Sequence, residues 1–203
     1  MSWSIISAQD LAPQAWRNGS GWTRELLTWP HPGDWVVRVS VADIEVDGPF
    51  SAFPGLDRWF AVLQGDGVRL FSGDEYGDGD ASKARELRCG DPLFRFDGAQ
   101  APACHLLDGM TRNFNLMHRR GHGQLRVQCA SAVLLPSNHL PPKLLALFTA
   151  EGGQLSHGGR AMALQPMSLA WCESPAAQRC EFKALVAGAA WWLELTTPED
   201  ASQ

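Results

Sequence analysis

The chain has 203 residues, 45% of them hydrophobic, with a formal net charge of -5 and an isoelectric point near 5.6. This length suffices for one large domain or two small fused ones, which can bury a core without disulfide or metal cross-links. The acidic balance excludes a nucleic-acid backbone as the main partner, because no basic stripe supplies the electrostatic attraction that such binding needs.

The cysteines and the hydropathy of the chain bear on its location. Five cysteines are widely spaced and form no C-x-x-C pair, a pattern that fits neither a disulfide framework nor a zinc site. The N-terminus lacks the regions of a signal peptide, and no apolar stretch approaches the roughly 18 residues of a membrane span. We therefore expect a cytoplasmic protein with reduced thiols and no membrane partner.

Residues 16–25 are the first segment that indicates a binding site. Two glycines separated by a serine allow positive φ or a close approach of the backbone to another group. The segment also carries arginine, amide, indole and carboxylate groups, which together can recognise a small polar molecule. The candidates for ligand binding here are Trp16, Arg17, Asn18, Gly19 and Glu25. For Glu25 two interpretations stay open: an ion pair with Arg17 or Arg24, or a general acid or base.

Residues 35–41 predict the clearest strand of the chain. Alternation places Val37, Val39 and Val41 on one face and Arg38 with Ser40 on the other. If the second face lines the interior of a barrel, Arg38 and Ser40 point at a ligand; otherwise they face solvent. The guanidinium group of Arg38 suits bidentate recognition of a carboxylate.

The next segment predicts a β-hairpin followed by a loop. Residues 60–63 and 68–71 read as two strands, with a glycine turn at 64–67 between them. Residues 72–82 are acidic and glycine-rich, and we expect an exposed loop there. Although aspartates and glycines alternate in this loop, the glutamate and the flanking helices of a calcium-binding EF-hand are missing.

Residues 113–119 predict another strand with two different faces. Asn113, Asn115, Met117 and Arg119 share one face, which makes Asn115 and Met117 candidates for ligand binding. Two amides on one side of a strand need hydrogen-bond partners if they are buried. They either contact a ligand or bond to the loop around Gly19.

The second part of the chain resembles the first part weakly. Residues 151–155 resemble 65–70, and residues 164–171 resemble 87–94. Such a repeat indicates two similar β units. Glycine turns that lead into alternating strands, twice over, predict an all-β protein of two cupin-type barrels, which can hold a small ligand in the mouth. We place the N-terminal barrel at residues 1–120 and the C-terminal barrel at 121–203, and we expect only the first to keep a pocket.

The C-terminal part predicts further strands at residues 144–147 and 189–195. The last of these contains the pair Trp191 and Trp192. If this pair is exposed, it could form a patch for a homodimer or another partner.

No metal site or catalytic nucleophile is evident in the sequence. The six histidines, His31, His105, His118, His122, His139 and His157, form no His-x-His pair. Arg58 stands where many metal-binding cupins have imidazoles, and a guanidinium cannot ligate a metal. There is no Gly-x-Ser-x-Gly elbow, and the adjacency of Cys104 and His105 in sequence does not show that their side chains are in contact. We predict no metal and no cofactor, and we assign no catalytic residue.

Five motifs in order resemble the HutD/Ves family over residues 16–120. They are Trp16-Arg17-Asn18-Gly19-x-Gly21-x-Thr23-x-Glu25, Arg38-Val39-Ser40-Val41-Ala42, Gly48-Pro49-Phe50-Ser51-x-Phe53-Pro54-Gly55-x-x-Arg58, Leu63-x-Gly65-x-Gly67 and Phe114-Asn115-Leu116-Met117-x-Arg119-Arg120. Two positions depart from the family pattern. Ser20 stands where a third glycine is usual, and Asn113 stands where an aspartate is usual.

The resemblance implies a bicupin of the RmlC-like type that has lost the usual metal ligands. It also implies a link to bacterial histidine utilisation, in which the protein restrains flux by sensing a pathway intermediate. Urocanate and formylglutamate, both carboxylates, are the candidate ligands. The implied site consists of Trp16, Arg17, Asn18, Gly19, Glu25, Arg38, Ser40, Arg58, Asn115 and Met117.

Two other function classes stay open from the sequence. One is an enzyme of the same pathway, an isomerase, hydrolase or lyase, with Glu25 or a nearby histidine as general base. The other is a protein-interaction module without a ligand, which would use Trp191 and Trp192.

Overall fold

A computed structural model describes residues 2–71, 84–130, 142–175, 179–186 and 188–196 of the chain. Within these ranges the chain forms β-strands and one short 3-10 helix, Ala8–Asp10, and no α-helix. The all-β prediction is therefore confirmed. The acidic loop of residues 72–82 and His139 lie outside the described residues. In the described part, no helix has the length and apolar character needed to cross a membrane.

The chain divides into two compact units, one of Leu11–Arg120 and one of Met1–Asp10 together with Gly121–Gln203. The sequence-based division at 120/121 assigned residues 1–10 to the N-terminal barrel. In the structure, strand β1 (Ser4–Ser7) pairs antiparallel with β16 (Ser168–Glu173) of the C-terminal part. Residues 2–10 therefore belong to the same unit as the C-terminal part, because backbone hydrogen bonds from residues 4–8 join them to it.

The Leu11–Arg120 unit contains two antiparallel sheets. Its strands are β2 (Gln14–Ala15), β3 (Gly21–Trp29), β4 (Val37–Ile44), β5 (Gly48–Pro49), β6 (Leu56–Gln64), β7 (Val68–Phe71), β8 (Ala84–Leu87), β9 (Phe94–Asp97), β10 (Ala103–Leu106) and β11 (Thr111–Arg119). One sheet has six strands in the order β2-β3-β4-β11-β6-β9, and the other has four in the order β5-β10-β7-β8. Phe60 and Val62 of the first sheet and Val68 and Leu70 of the second share one buried core cluster.

The second unit has the same construction. Besides β1 and β16, its strands are β12 (Gln124–Cys129), β13 (Leu144–Thr149), β14 (Gly153–His157), β15 (Arg160–Leu164), β17 (Cys180–Ala184) and β18 (Ala190–Thr196). They form a five-stranded sheet, β1-β16-β13-β18-β12, and a three-stranded sheet, β15-β14-β17. Leu145, Leu147 and Trp192 of the larger sheet and Leu155 and Phe182 of the smaller one belong to a single core cluster.

The two units share one pairing pattern, as the weak internal repeat suggests. The order β11-β6-β9 in the first unit corresponds to β18-β13-β16 in the second. Likewise, β10-β7-β8 corresponds to β17-β14-β15. The repeat is therefore visible in the strand order.

The two closed barrels of the sequence analysis are not found among the described residues. Strand pairing runs from one edge to the other in each of the four sheets, and none of the sheets pairs with itself or with another. Each unit is accordingly an open, two-sheet arrangement with apolar side chains of both sheets in its core.

The hairpin predicted for residues 60–71 is wrong, although both strands exist. β6 pairs with β11 and β9, whereas β7 pairs with β10 and β8. Gly65 and Gly67 between them have φ of 90° and 106°. A Cβ on Gly65 would lie 2.5 Å from the carbonyl oxygen of Met110. This tight turn carries the chain from one sheet to the other instead of closing a hairpin.

The predicted strands at residues 144–147 and 189–195 are confirmed as β13 and β18. Trp191 and Trp192 do not meet the condition of exposure on which a patch at this pair depended, because they are 7% and 1% exposed. Trp192 packs into the core of its unit, and Trp191 stacks on Phe148. A homodimer stays a prediction, but this tryptophan pair does not offer a surface for it.

Candidate functional site

A cavity of about 640 Å³ lies against the six-stranded sheet of the Leu11–Arg120 unit. This volume falls within the usual range for sites that hold small molecules. The lining residues are Gln14, Ala15, Trp16, Arg17, Asn18, Thr23, Arg38, Ser40, Ala42, Ile44, Pro49, Phe50, Ser51, Phe53, Arg58, Phe60, Asn113, Asn115 and Met117. Three of them are arginines, and no aspartate or glutamate is found among these described lining residues.

The alternation of β4 places a charged and polar face towards the cavity. Arg38 and Ser40 line it. Val37, Val39 and Val41 lie on the opposite face and are at most 1% exposed. Burial of the three valines fixes which way the strand faces, because a shift of one residue would bury Arg38 instead.

Strand β11 contributes the neighbouring part of the wall. Asn113, Asn115 and Met117 line the cavity, and Phe114 and Leu116 are fully buried on the other face. The division of faces predicted for residues 113–119 therefore holds for these five side chains.

Strand register brings two of the arginines into one row across the sheet. Arg38 on β4 is opposite Met117 on β11, and Met117 is opposite Arg58 on β6. Neighbouring strands are about 4.8 Å apart, so the backbones of the two arginines are separated by about 10 Å. Their long side chains can therefore act on one ligand. The next row consists of Ser40, Asn115 and Phe60.

Arg58 is a buried cation at the base of the cavity. It is 4% exposed, and its Cζ lies 5.3 Å, 5.4 Å and 4.9 Å from the ring centroids of Phe50, Phe53 and Phe96. Its Nη1 donates a hydrogen bond to the carbonyl oxygen of Ser51 at 3.2 Å, and its buried Nε has no partner. Among the described residues, no carboxylate forms an ion pair with it.

The surroundings of Arg58 disfavour its charge. Burial, and then the positive charge of Arg38, lower the pKa of Arg58 to about 10. The group is still cationic at neutral pH. Contacts with three phenyl rings compensate part of the lost hydration, but an anion beside the guanidinium would stabilise it further.

Glu25 holds Arg38 in position. The Nε of Arg38 donates a hydrogen bond to the Glu25 carboxylate at 2.7 Å, and both side chains are about one-quarter to one-third exposed, at 26% and 30%. The ion pair predicted for Glu25 is thus formed with Arg38, not with Arg17 or Arg24. The reason is tertiary: Glu25 is opposite Ser40 on β4, one row from Arg38.

Residues 16–20 form a loop at the rim of the cavity, named here the rim loop. Gly19 N–H donates to the carbonyl oxygen of Trp16 at 3.0 Å, and Gly19 has φ of 71°. The backbone N–H and the hydroxyl of Ser20 both donate to Asn18 Oδ1, at 3.2 Å and 2.8 Å. These bonds hold Arg17 and Asn18, both exposed, at the cavity rim. Gly19 shapes the turn and does not line the cavity.

Gly21 is required where the rim loop enters β3. A Cβ at this position would lie 2.2 Å from the carbonyl oxygen of Asp43 and 3.2 Å from the indole ring of Trp16. We expect Gly21→Ala to lower the free energy of unfolding by about 1–3 kcal/mol, because the β3–β4 pairing must move apart. Chemical denaturation measures this loss. Gly33→Ala is the control, because its Cβ would meet only a histidine side chain at 3.9 Å. Equal stability of the two variants would contradict the close approach.

The amide oxygens of Asn113 and Asn115 on β11 lack a hydrogen-bond donor among the described residues. Asn113 Nδ2 donates to the carbonyl oxygen of Phe114 at 3.4 Å, but the Oδ1 atoms of Asn113 and Asn115 accept no hydrogen bond from the described protein groups. Neither amide bonds to the rim loop. Buried amide oxygens without donors are costly, and they lie on the wall of the cavity.

Groups suited to metal binding or nucleophilic catalysis are not concentrated here. Within the described ranges, no cluster of three or more His, Cys, Asp or Glu residues could hold a metal ion. None of the described histidines lines the cavity. Cys104 is buried, and burial together with the charge of Asp47 raises its pKa to about 12. Its thiolate is therefore disfavoured at neutral pH.

The structure brings most of the predicted site residues together. Those that line the cavity are Trp16, Arg17, Asn18, Arg38, Ser40, Arg58, Asn115 and Met117. Gly19 and Glu25 do not line it; the first shapes the rim loop and the second orients Arg38. Whether any of them binds a ligand stays a prediction.

An ion-pair cluster on the opposite face of the sheet was not predicted from the sequence. Asp43 accepts hydrogen bonds from Arg112 Nε and Nη2 at 2.5 Å and 3.0 Å and from Arg24 Nη1 at 2.7 Å. Phe96, whose ring lies against the Arg58 guanidinium, was not predicted either. Phe50 and Phe53 stand in a quoted motif, but nothing in their spacing shows that they would surround Arg58.

A comparison with protein families matches the HutD family model to residues 8–190. Among curated proteins, an uncharacterized 21.2 kDa protein in the hutC 3′ region of Pseudomonas putida is 38% identical over 128 residues. That alignment covers 61% of this chain and 62% of the relative, so the match spans less than two thirds of either protein.

Solved structures give similarity over almost the whole chain. A conserved protein of unknown function from Pseudomonas aeruginosa has a TM-score of 0.80 at 26% identity, with 98% of this chain and all of that chain covered (100%). The structure of HutD from Pseudomonas fluorescens, in a formate condition, has a TM-score of 0.76 at 24% identity. The comparison covers 98% of this chain and 100% of that chain. A cupin 2 conserved barrel domain protein from Leptotrichia buccalis has a TM-score of 0.55 at 11% identity, covering 96% of both chains. The fold is thus cupin-like.

Proposed function

We propose that this chain, which belongs to the HutD family, binds a small carboxylate in the cavity of its Leu11–Arg120 unit without a metal or cofactor. Through this binding it would sense an intermediate and restrain flux in histidine degradation, as a cytoplasmic protein. The observation that carries the proposal is Arg58, a buried guanidinium at the cavity base with no carboxylate partner among the described residues.

The chemistry of the cavity supports an anionic ligand. A buried cation is stabilised by an opposite charge at short distance, and guanidinium binds carboxylate through two parallel hydrogen bonds. Arg38, in the same row of the sheet, adds positive charge close to Arg58. Asn115 and Ser40 in the next row offer amide and hydroxyl groups that can orient the rest of the molecule.

The related proteins support the choice of pathway and ligand class. The relative in Pseudomonas putida is named by its position beside hutC, and the HutD structure from Pseudomonas fluorescens was obtained in a formate condition. Formate is the simplest carboxylate. Urocanate and formylglutamate carry the same group and are the candidates for the natural ligand.

We also propose that the protein is a bicupin, in which each of the two units is one cupin-type domain. The two units share one strand-pairing pattern, and the fold is similar to a cupin barrel protein. In the second unit, the fully buried Trp192 fills the core, opposite Leu147 on β13. In the first unit the corresponding strands, β11 and β6, place Asn115 opposite Phe60, and both residues line the cavity. This contrast supports a ligand site in the first unit only.

Thermal unfolding of the purified protein with a panel of small acids tests the proposal. The panel contains formate, urocanate, formylglutamate, glutamate and histidine, with divalent metals measured separately. A ligand at a hundredfold excess over its dissociation constant is expected to stabilise the protein by about 2.7 kcal/mol. Arg38→Ala should lose this effect. No shift with any acid would overturn the proposal.

Activity assays on the same purified protein distinguish an enzyme from a sensor that only binds the acid. Glu25 already forms an ion pair with Arg38 at 2.7 Å and does not line the cavity. Turnover of urocanate or formylglutamate that disappears in Glu25→Gln would favour an enzyme. Binding without turnover favours the sensor.

A further inference from the structure

We infer that the ligand of this cavity is a dianion, with one acid group beside Arg58 at the base and a second beside Arg17 and Asn18 at the rim. This inference rests on the proposed function, because it specifies the ligand class of the same site. It goes beyond a single carboxylate, since the cavity carries positive charge at two different depths.

The charge balance of the cavity wall favours a ligand with two negative charges. Arg17, Arg38 and Arg58 line the cavity, and none of the described lining residues is acidic. One acidic side chain, Glu25, compensates one of these charges through its bond to Arg38. Two cations are then left for the ligand, one on Arg58 and one on Arg17.

The two remaining cations lie at different depths of the cavity. Arg58 is 4% exposed, whereas Arg17 is an exposed residue of the rim loop. The cavity between base and rim has a volume of about 640 Å³, many times the roughly 30 Å³ that one water molecule occupies in the liquid. A carboxylate as small as formate, bound at Arg58, would fill little of this space and would not reach the rim. An acid with a chain between two charged ends would extend through it.

Hydrogen bonds hold the rim loop in place, and the loop presents hydrogen-bond donors. Trp16 Nε1 donates to Thr23 Oγ1 at 2.7 Å, and Trp16 N–H donates to the carbonyl oxygen of Gly21 at 2.9 Å. Asn18 Oδ1 is occupied by two hydrogen bonds from Ser20, which leaves its Nδ2 as a donor. Together with the Arg17 guanidinium, the rim therefore offers hydrogen-bond donors in a fixed loop, which suits a second anionic group.

Matched pairs of diacids and monoamides test the inference. The probes are succinate, glutarate and adipate, each compared with the acid in which one carboxylate is replaced by a carboxamide of the same shape. For the best chain length, calorimetry of the wild-type protein should show about tenfold tighter binding of the diacid, as expected for one charge-assisted contact. In Arg17→Gln this preference should fall to about threefold or less, with the affinity for the monoamide unchanged.

The control is Arg95→Gln, an arginine of the same unit that is 61% exposed and does not line the cavity. It should keep the preference for the diacid. If the monoamide binds the wild type as tightly as the diacid, or if the preference survives in Arg17→Gln, the inference is overturned while the proposed carboxylate site stands. If neither the diacids nor the monoamides bind, both the inference and the proposed function fail.

Discussion

Arg58→Met is expected to abolish the stabilisation by carboxylates while leaving the ligand-free protein as stable as the wild type or more stable. Loss of the buried guanidinium should weaken acid binding by about 2–4 kcal/mol, or roughly 30-fold to 1000-fold. The free protein loses a buried charge without a carboxylate partner, and methionine can fill the space between Phe50, Phe53 and Phe96. Removal of such a charge is often neutral or stabilising by about 1–2 kcal/mol.

Two measurements on the same samples check this result. Thermal unfolding without ligand gives the stability, and titration with formate or urocanate gives the affinity. Arg95→Met is the matched control, since Arg95 also lies over an aromatic ring, Trp59, but is on the surface with Asp57 as its partner. We expect it to change stability by less than about 1 kcal/mol and binding not at all.

Arg58→Lys separates the charge from the geometry of the guanidinium. Lysine keeps a cation at the base but cannot form the two parallel bonds to a carboxylate. We expect binding of intermediate strength. If Arg58→Met binds acids like the wild type, or if it unfolds far more easily than Arg95→Met, then Arg58 is a structural residue and the site assignment is wrong.

Asp43→Asn should produce the largest loss of stability among substitutions outside the cavity. The Asp43 side chain is 7% exposed and is bonded by Arg24 and Arg112, whose side chains are 21% and 27% exposed. Removal of its charge leaves two arginines without their common partner. We expect a loss of about 2–4 kcal/mol in the free energy of unfolding, which corresponds to a decrease of about 4–16 °C in Tm for a protein of this size.

The contribution of Asp43 to stability is expected to decrease at acid pH. Burial by itself raises the pKa of Asp43, but hydrogen bonds from Arg112 and Arg24 outweigh burial, and its pKa lies below the ordinary value. A carboxyl group with a lowered pKa in the folded state stabilises the protein above its unfolded pKa, which is about 3.9. This contribution is lost as the pH falls through the lower folded value. The difference between wild type and Asp43→Asn should therefore shrink below about pH 4.

Asp34→Asn is the control for the Asp43 experiment. Asp34 accepts a hydrogen bond from Arg119 at 2.8 Å, but its side chain is 71% exposed. Exposed pairs of this kind contribute about 0–1 kcal/mol. Denaturant titrations of both variants at pH 7 and at acid pH make the comparison. Equal losses in the free energy of unfolding for Asp34→Asn and Asp43→Asn would show that the buried cluster stabilises the protein no more than an exposed ion pair does.

Alternation along single strands was enough to predict the all-β class and the two faces of β4 and β11. Val37, Val39 and Val41 bury one face of β4, so Arg38 and Ser40 must lie on the other. The same reasoning placed Asn115 and Met117 together. These predictions depend only on neighbouring residues, because successive side chains of a strand point to opposite faces. The motifs of residues 16–120 likewise indicated the family, which the HutD match confirms.

Contacts between distant residues were decided only by the tertiary structure. β6 and β7 are adjacent in sequence but lie in different sheets. Glu25 pairs with Arg38 instead of Arg17 or Arg24, because strand register sets that distance. Arg58 is buried among three phenylalanine rings, and Asp43 between two arginines. The sequence by itself thus determined which side chains share a face of each strand. Which strands pair, and therefore which charges are buried, depends on the register and packing of segments far apart in the chain.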